Sequence, residues 1–357
     1  MPVRIVEDCI GIATSSAALE SVCRGMDVLM IPTEASETDP VLRGHAKKLG
    51  FKRVIKDCND KRRFNGKKRR KPHVYTCGFA CQPFSAAGNN GGLNDERSSS
   101  MKGAVKYIKK EVPLVFILEN VRNFAVKHRR VKNKLVRRLL KTKKYQLHEQ
   151  ILNSRSFGGI QNRQRWYLVG VHKALAKDAE FVFQWPKGRG PKMVGHVLDA
   201  KFDDVPVTLF NKTIQRNWVL VEEILNTCKS WANHSGPWIA DLMQSQSRGA
   251  YVCAAVPTIT KSHAPNNAYW LVVLADKSAT GLTKRRYVKR PLGLKDVLLA
   301  QGWAAGAVAK FKDIPEKAML GALGNAMSLN VMRSLWMSLK PLLSALNDND
   351  IEVSSKL

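Results

Sequence analysis

Cys81 sits in the segment Cys77-Gly-Phe-Ala-Cys81-Gln-Pro-Phe-Ser85-Ala-Ala-Gly88, directly after an apolar run from His73 to Cys77. Small residues at a strand end permit a tight loop and close approach of a ligand to backbone. A cysteine in such a loop is a nucleophile when donors or positive charge stabilise its thiolate, and otherwise a small core residue. Two further segments carry the groups that would decide between these. The run Leu114 to Leu118 ends in Glu119-Asn120-Val121, and Gln161-Asn-Arg163-Gln-Arg165 leads into the run Trp166 to Val171. In an extended strand entry, Arg163 and Arg165 point to one face. A thiol, a carboxyl group and two guanidinium groups converge on one edge if these runs are neighbouring strands.

The surrounding pattern supplies such a sheet. Short β-branched runs recur at Val3 to Val6, Val28 to Ile31, His73 to Cys77, Leu114 to Leu118 and Trp166 to Val171. Helical spacing lies between them, at Ala17 to Cys23 and at Val131, Leu135, Val136, Leu139 and Leu140. Strands alternating with helices predict an α/β fold, a parallel sheet with helices on both faces whose ligands collect at the carboxyl ends of the strands. The breaker cluster Pro186 to Pro191 marks the entry to a second, smaller domain. The expected division is a catalytic part over 1–186, a second domain over 187–286, and a return segment over 287–357. In that return, Met327, Val331, Met332, Leu335, Trp336, Leu339 and Leu342 predict one amphipathic helix packing back onto the first sheet. Trp218, Trp231, Trp238 and Trp270 read as core of the second domain.

Composition narrows the partner. Among 357 residues, 59 Lys and Arg stand against 29 Asp and Glu, a formal charge of +30, while 44% hydrophobic residues suffice for a core. The basic residues cluster: eight of eleven in Lys61–Lys71, ten of eighteen in Lys127–Lys144, and five of seven in Lys284–Arg290. A single run reads equally well as a solvated face, but three together favour a polyanion, nucleic acid first. The seven cysteines are an odd number without a CxxC pair, so reduced thiols are expected, with no metal site and no membrane span.

In this order the segments Cys81-Gln-Pro-Phe-Ser85, Glu119-Asn-Val and Gln161-x-Arg163-x-Arg165 resemble the DNA (cytosine-5) methyltransferases in their compact, single-module form. The resemblance implies a Rossmann-like, S-adenosylmethionine-dependent methyltransferase sheet and a target recognition domain. Within it Cys81 is the nucleophile that adds to C6 of a flipped-out cytosine. Glu119 holds the N3 and N4 edge, Arg165 the O2 side, and Arg163 supports the loop or a phosphate. Cys9-Ile10-Gly11 resembles the loop that admits the cofactor, Glu37 the acid on its ribose and Asp57 the acid near its adenine. Ala80 and Asn325, the latter in Gly324-Asn325-Ala326, join the cofactor set. Asp95 and Arg97 resemble an acid-then-Arg pair, and Gln301-Gly302-Trp303 a late helix motif. Gln82, Ser85, Arg97, Gln161 and Arg248 are the implied DNA contacts. Three departures stand out: Ala13 places a Cβ where the family continues with glycine, and Ala80 and Ile160 stand where it carries proline. The implied partner is double-stranded DNA, bound by a monomer, with a structured RNA such as tRNA or a catalytically impaired DNA-binding role as alternatives. Lys67 to Lys71 suits a nuclear import signal, with the cytoplasm expected for a prokaryotic or viral source.

Overall fold

The structure is a computed structural model that describes residues 2–64, 71–80, 99–227, 236–244, 251–275 and 286–346. Seven strands, β1 (Val3–Asp8), β2 (Met30–Ser36), β3 (Arg53–Ile55), β4 (Val74–Gly78), β5 (Val115–Val121), β6 (Tyr145–Asn153) and β7 (Gln164–His172), form one sheet. Its order is β3-β2-β1-β4-β5-β7-β6. The pairs from β3 to β5 are parallel, and β7 runs antiparallel between β5 and β6. Each of the five expected strands appears, with β2 displaced toward the carboxyl end of its expected span. A turn through Asp27 (φ +56°) delays its start. The strand then continues past Pro32, which lacks an N–H, through a register shift in which the Thr33 hydroxyl donates to Ile5 O at 2.6 Å. β3 and β6 were not expected. Both are edge strands, and β6 exposes Gln146, Glu149 and Gln150 to solvent, which hides an apolar pattern.

The helices follow from handedness. α1 (Thr14–Arg24) and α2 (Pro40–Lys48) return the chain toward the β3 side of the sheet. α3 (Ser99–Glu111), α4 (Arg122–Val126) and α5 (Arg129–Leu140) return it toward the β6 side. Right-handed crossovers in opposite directions place the two groups on opposite faces. α3 and α5 bury Ala104, Ile108, Leu135 and Leu139 against Phe116, Leu118, Trp166 and Leu168. The short α6 (Lys173–Asp178) follows β7.

The chain divides into two compact units. The first comprises residues 1–153, 164–188 and 326–357, and the second 154–163 and 189–325. Residues 287–325, which the sequence pattern attaches to the catalytic part, thus group with the second. That unit has a four-stranded antiparallel sheet of β8 (Trp238–Asp241), β9 (Tyr251–Cys253), β10 (Tyr269–Leu274) and β11 (Tyr287–Pro291), in the order β11-β10-β8-β9. α7 (Lys212–Thr227) packs Ile214, Trp218, Val221 and Leu225 onto Trp238 and Trp270, so these three tryptophans are core as expected. Trp231 lies outside the described residues. α8 (Leu294–Ala300) and α9 (Glu316–Asn325) complete the unit.

The single terminal helix expected from periodicity is two, α10 (Leu329–Ser338) and α11 (Lys340–Ser344), interrupted before Pro341. α10 packs on α1 in the first unit, with Trp336 Nε1 donating to Ser15 O at 3.2 Å. Among the described residues no helix is long and apolar enough to cross a membrane.

One buried ion cluster ties the carboxyl ends of β1 and β2 together. Arg63, in a short 3-10 turn over Lys61–Phe64, is 1% exposed. Its Nη1 lies 2.7 Å from Asp8 Oδ2, its Nε bonds Glu34 Oε1, and its guanidinium stacks 4.0 Å from the Tyr107 ring centroid. Tyr75 OH donates to the same Asp8 oxygen at 2.7 Å, and Arg53 Nη1 reaches Glu34 Oε2 at 2.9 Å. Arg63 therefore corrects the reading of Lys61–Lys71 as uniformly solvated or phosphate-facing. Removing one partner of a buried pair leaves the others uncompensated. Arg63→Ala is expected to lower stability by about 3–5 kcal/mol in urea unfolding.

Candidate active site

The reversed strand β7 decides which residues meet at the carboxyl edge. β5 runs outward to Val121 and β7 begins beside it, with Glu119 paired to Tyr167 and Val121 to Arg165. Arg165 Nε lies 3.1 Å from Glu119 Oε1, and the two side chains are only 11% and 7% exposed. Gly78, next to Glu119 on β4, makes room for the pair. A Cβ there would stand 3.3 Å from Glu119 Oε2 and 3.0 Å from Met327 Cε.

The segment leading to Cys81 is held from two sides. Asn120, fully buried, donates from Nδ2 to Phe79 O at 2.8 Å. Ala80 N donates to Ser100 Oγ at 3.0 Å, a bond that a proline at this position has no hydrogen to make. Neither Ser100 nor Asn120 stood out as a positioning residue in the sequence, because nothing in the local pattern around either one points to residues 79 and 80. Cys81 follows Ala80 and lies outside the described residues, as do Gln82, Ser85, Asp95, Arg97 and Arg248. Its neighbour in sequence Cys77 is fully buried, and burial pushes its thiol above the usual range, which makes it a core cysteine.

Arg163 does not accompany Arg165. β7 begins at Gln164, so strand alternation does not extend back to Arg163. In the second unit its guanidinium is 1% exposed, donating to Ile259 O at 3.0 Å and Gly324 O at 3.1 Å. The group ties three segments of that unit together through main-chain carbonyls, which suits the expected support of a loop and not the expected place beside a phosphate. Gln161, expected at the DNA, is also fully buried, with Nε2 facing Ala300 O. On either side of it, Val256 N donates to Ile160 O at 3.0 Å and Asn162 N to Val256 O at 2.7 Å. This pairing fixes the segment for which Ile160 lacks the rigidity of proline.

A second group of expected residues gathers at the end of β1. Cys9, Gly11 and Ala13 all take left-handed backbone angles, with φ of 51°, 54° and 58°, and turn the chain into α1. Gly11 N donates to Glu37 Oε2 at 2.9 Å, and Asp39 N to Glu37 Oε1 at 3.0 Å, so the half-buried carboxylate is fixed over the loop. A Cβ added at Gly11 would meet nothing within 4 Å, which leaves open space in front of the loop. Ala13 is 2% exposed and packs with Ile10, Ala35, Ala46 and Phe51. The Cβ that stands where the family continues with glycine therefore faces the core and not that space, and the Ile10 side chain is interior as well. Cys9 places its thiol against those of Cys58 and Cys77. Asp57 is exposed and accepts from Asn59 N at 2.8 Å in an Asx turn. Asn325 is exposed at the end of α9 in the second unit.

Beneath the loop, Glu7 is buried and accepts from Ser16 N at 3.0 Å and from the Ser16 hydroxyl. Burial raises its carboxyl pKa from 4.5 to about 7, with the Ser16 hydrogen bonds opposing part of the rise.

The sheet order, the reversed seventh strand and the strand-end carboxylate–arginine pair define a Rossmann-like methyltransferase fold. Solved structures share it: the Entamoeba histolytica methyltransferase EhMeth has a TM-score of 0.63 at 15% identity, covering 98% of this chain and all of that one. The S. pombe Dnmt2 methyltransferase has a TM-score of 0.57 at 17% identity, covering 96% and 99%. The sequence model of the C-5 cytosine-specific DNA methylases matches residues 45–340, and the chain belongs to that family. Similar sequences include the type II methyltransferase M1.ScrFI of Lactococcus lactis subsp. cremoris, 33% identical over 128 residues, which are 36% of this chain and 33% of that protein. The type II methyltransferase M.NlaX of Neisseria lactamica is 32% identical over 142 residues, 40% and 44% of the two chains. The match thus spans about a third of the first relative and under half of the second.

Two outcomes follow from this geometry. Ser100→Ala should lower stability by about 1 kcal/mol in urea unfolding, the effect of one lost hydrogen bond. In an Ala80→Pro background, where that bond no longer exists, Ser100→Ala should cost nothing further; independent effects would mean that Ser100 does not act through Ala80. For Glu7 the folded pKa lies above the unfolded one, so its contribution is fully present below pH 4.5 and lost as pH rises through about 7. The total is about 3 kcal/mol at roughly 1.4 kcal/mol per tenfold change in proton affinity. Glu7→Gln should remove that slope from stability measured between pH 4.5 and 8.

Proposed function

We propose that this chain is a DNA cytosine-5 methyltransferase that uses S-adenosylmethionine and acts on a cytosine flipped out of duplex DNA. The observation that carries the reading is the Glu119–Arg165 pair at the carboxyl edge of β5, beside the β4 end from which Cys81 follows. Cytosine C5 is a weak nucleophile within an aromatic ring. Addition of the Cys81 thiolate to C6 breaks the C5–C6 double bond and moves its electrons onto C5 and the N3–C4 region. Glu119 faces the N3 and N4 edge and holds a proton at N3, which offsets the charge as the thiolate adds. Arg165 fixes the carboxyl group and presents its remaining donors toward O2. After methylation, loss of the C5 proton restores the double bond, and the C6–S bond breaks to release Cys81. Because C6 is buried in the stack of a duplex, the base must leave it first, at a cost of a few kcal/mol.

The residues at the end of β1 fit the cofactor. Gly11 has open space in front of it, and the oriented Glu37 carboxylate has acceptor capacity for a ribose diol. Bound there, S-adenosylmethionine supplies an electrophilic methyl group. The alternative reading keeps the fold and replaces duplex DNA by a structured RNA such as tRNA, which the excess of basic residues suits equally.

Methyl incorporation into duplex DNA should be abolished by Cys81→Ala and strongly reduced by Glu119→Gln. With S-adenosylmethionine present, duplex DNA containing 5-fluorocytosine should form a complex with the protein that survives denaturation, because fluorine stands in place of the C5 proton whose loss would release Cys81. No incorporation into any duplex, with transfer to tRNA in a parallel assay, would move the substrate to RNA.

A further inference from the structure

α3 and α5 lie side by side on one face of the sheet, and both run from the carboxyl edge to the opposite one. α3 starts at Ser99, with its second residue Ser100 bonded to Ala80, and α5 is reached through α4 directly after Val121. Their outward faces carry ten exposed Lys and Arg, four on α3 and six on α5 with its cap residue Lys141. Across residues 99–144 the acids are Glu111 and Glu119, and Glu119 belongs to the strand-end pair. Glu149, on β6, takes the half-buried pair with Lys132.

A solvated helix face normally mixes charge signs, and this one opposes its own folding. One turn apart stand Lys102 and Lys106, Lys106 and Lys110, Arg130 and Lys134, Lys134 and Arg138, and Arg137 and Lys141, all like-charged and each pair destabilising. The first turn of α5 holds Arg129 and Arg130 with no acid and no side-chain cap, against the positive end of the helix dipole. Among the described residues none of the ten has an ion-pair partner. Packing of Leu135 and Leu139 maintains the helix, and a polyanion on the outer face would offset the repulsion.

We propose that the outer face of α3 and α5 docks the sugar–phosphate backbone of duplex DNA beyond the target base, as a surface separate from the strand-end site. The choice of DNA rests on the function proposed above. Each helix spans about 17–20 Å, so the face offers contacts along a stretch of backbone and carries no sequence information.

The experiment measures affinity against salt for duplexes of about 12 and about 40 base pairs, sizes chosen to bracket the contacts that phosphates can make. In Arg130→Gln/Lys134→Gln/Arg137→Gln/Lys141→Gln, the log–log slope on the long duplex should become shallower by about 3–4, with a smaller change on the short one. Lys47→Gln/Lys48→Gln/Lys52→Gln, exposed lysines in the α2 region of the first unit, should change it much less. Because the substitutions relieve repulsion, the variant should melt no lower than the parent; if it misfolds, Arg137→Gln singly should still reduce the slope by about one. An unchanged slope, or an equal loss in the control, overturns the proposal, and a loss seen with duplex RNA but not DNA overturns its choice of partner. Methyl transfer by the parent is scored separately. Its absence defeats the proposed activity, whereas a normal rate with an unchanged slope defeats this surface.

Discussion

The fully buried guanidinium of Arg63 is the constraint on which the carboxyl edge of the sheet depends. Taking such a charge out of water is costly, and the cost is recovered only if its partners are close and correctly oriented. Asp8 and Glu34 meet that condition, with Tyr75 and Arg53 completing the arrangement and Tyr107 covering the flat face of the group. Asp8 is the last residue of β1 and Glu34 lies near the end of β2. Cys9 to Ala13 and Glu37 follow immediately, so the groups that fit a cofactor are positioned by an ion cluster that does not itself face the ligand space.

The other half of the edge depends on strand direction. In an all-parallel sheet, the end of β7 beside Glu119 would carry His172. Reversal brings its beginning there instead, and with it Arg165. The carboxylate is thereby held by a residue of an adjacent strand, on a rigid scaffold and not on a loop. Opposite it, Gly78 leaves the space that Glu119 Oε2 needs.

Much of this was legible in the sequence, and what was not has a physical cause. The five inner strands and the Glu119–Arg165 pair at their ends showed through apolar runs punctuated by Gly, Glu and Arg. β3 and β6 did not, because an edge strand has only one partner and tolerates polar residues such as Gln146 and Glu149. Periodicity merged α10 with α11, since an apolar stripe continues across Pro341 although the helical hydrogen bonding does not. Arg163 and Gln161 were misplaced for a related reason. Alternation predicts facing only within a strand, and both precede one, buried in another set of packing partners. Ser100, Asn120 and Arg63 act across separations of 20, 41 and 55 residues, which no local pattern encodes.

The one-signed face of α3 and α5 makes ionic strength act in two opposed ways. Added salt screens the repulsion among lysines and arginines one turn apart and so favours the folded free chain. The same salt reduces the entropy gained when counterions leave a bound backbone, and so disfavours association. The free chain is therefore most robust where the proposed docking of a polyanion is weakest. A bound polyanion takes over the screening that dissolved ions otherwise provide, so occupancy of that face and persistence of the fold rise together in dilute buffer.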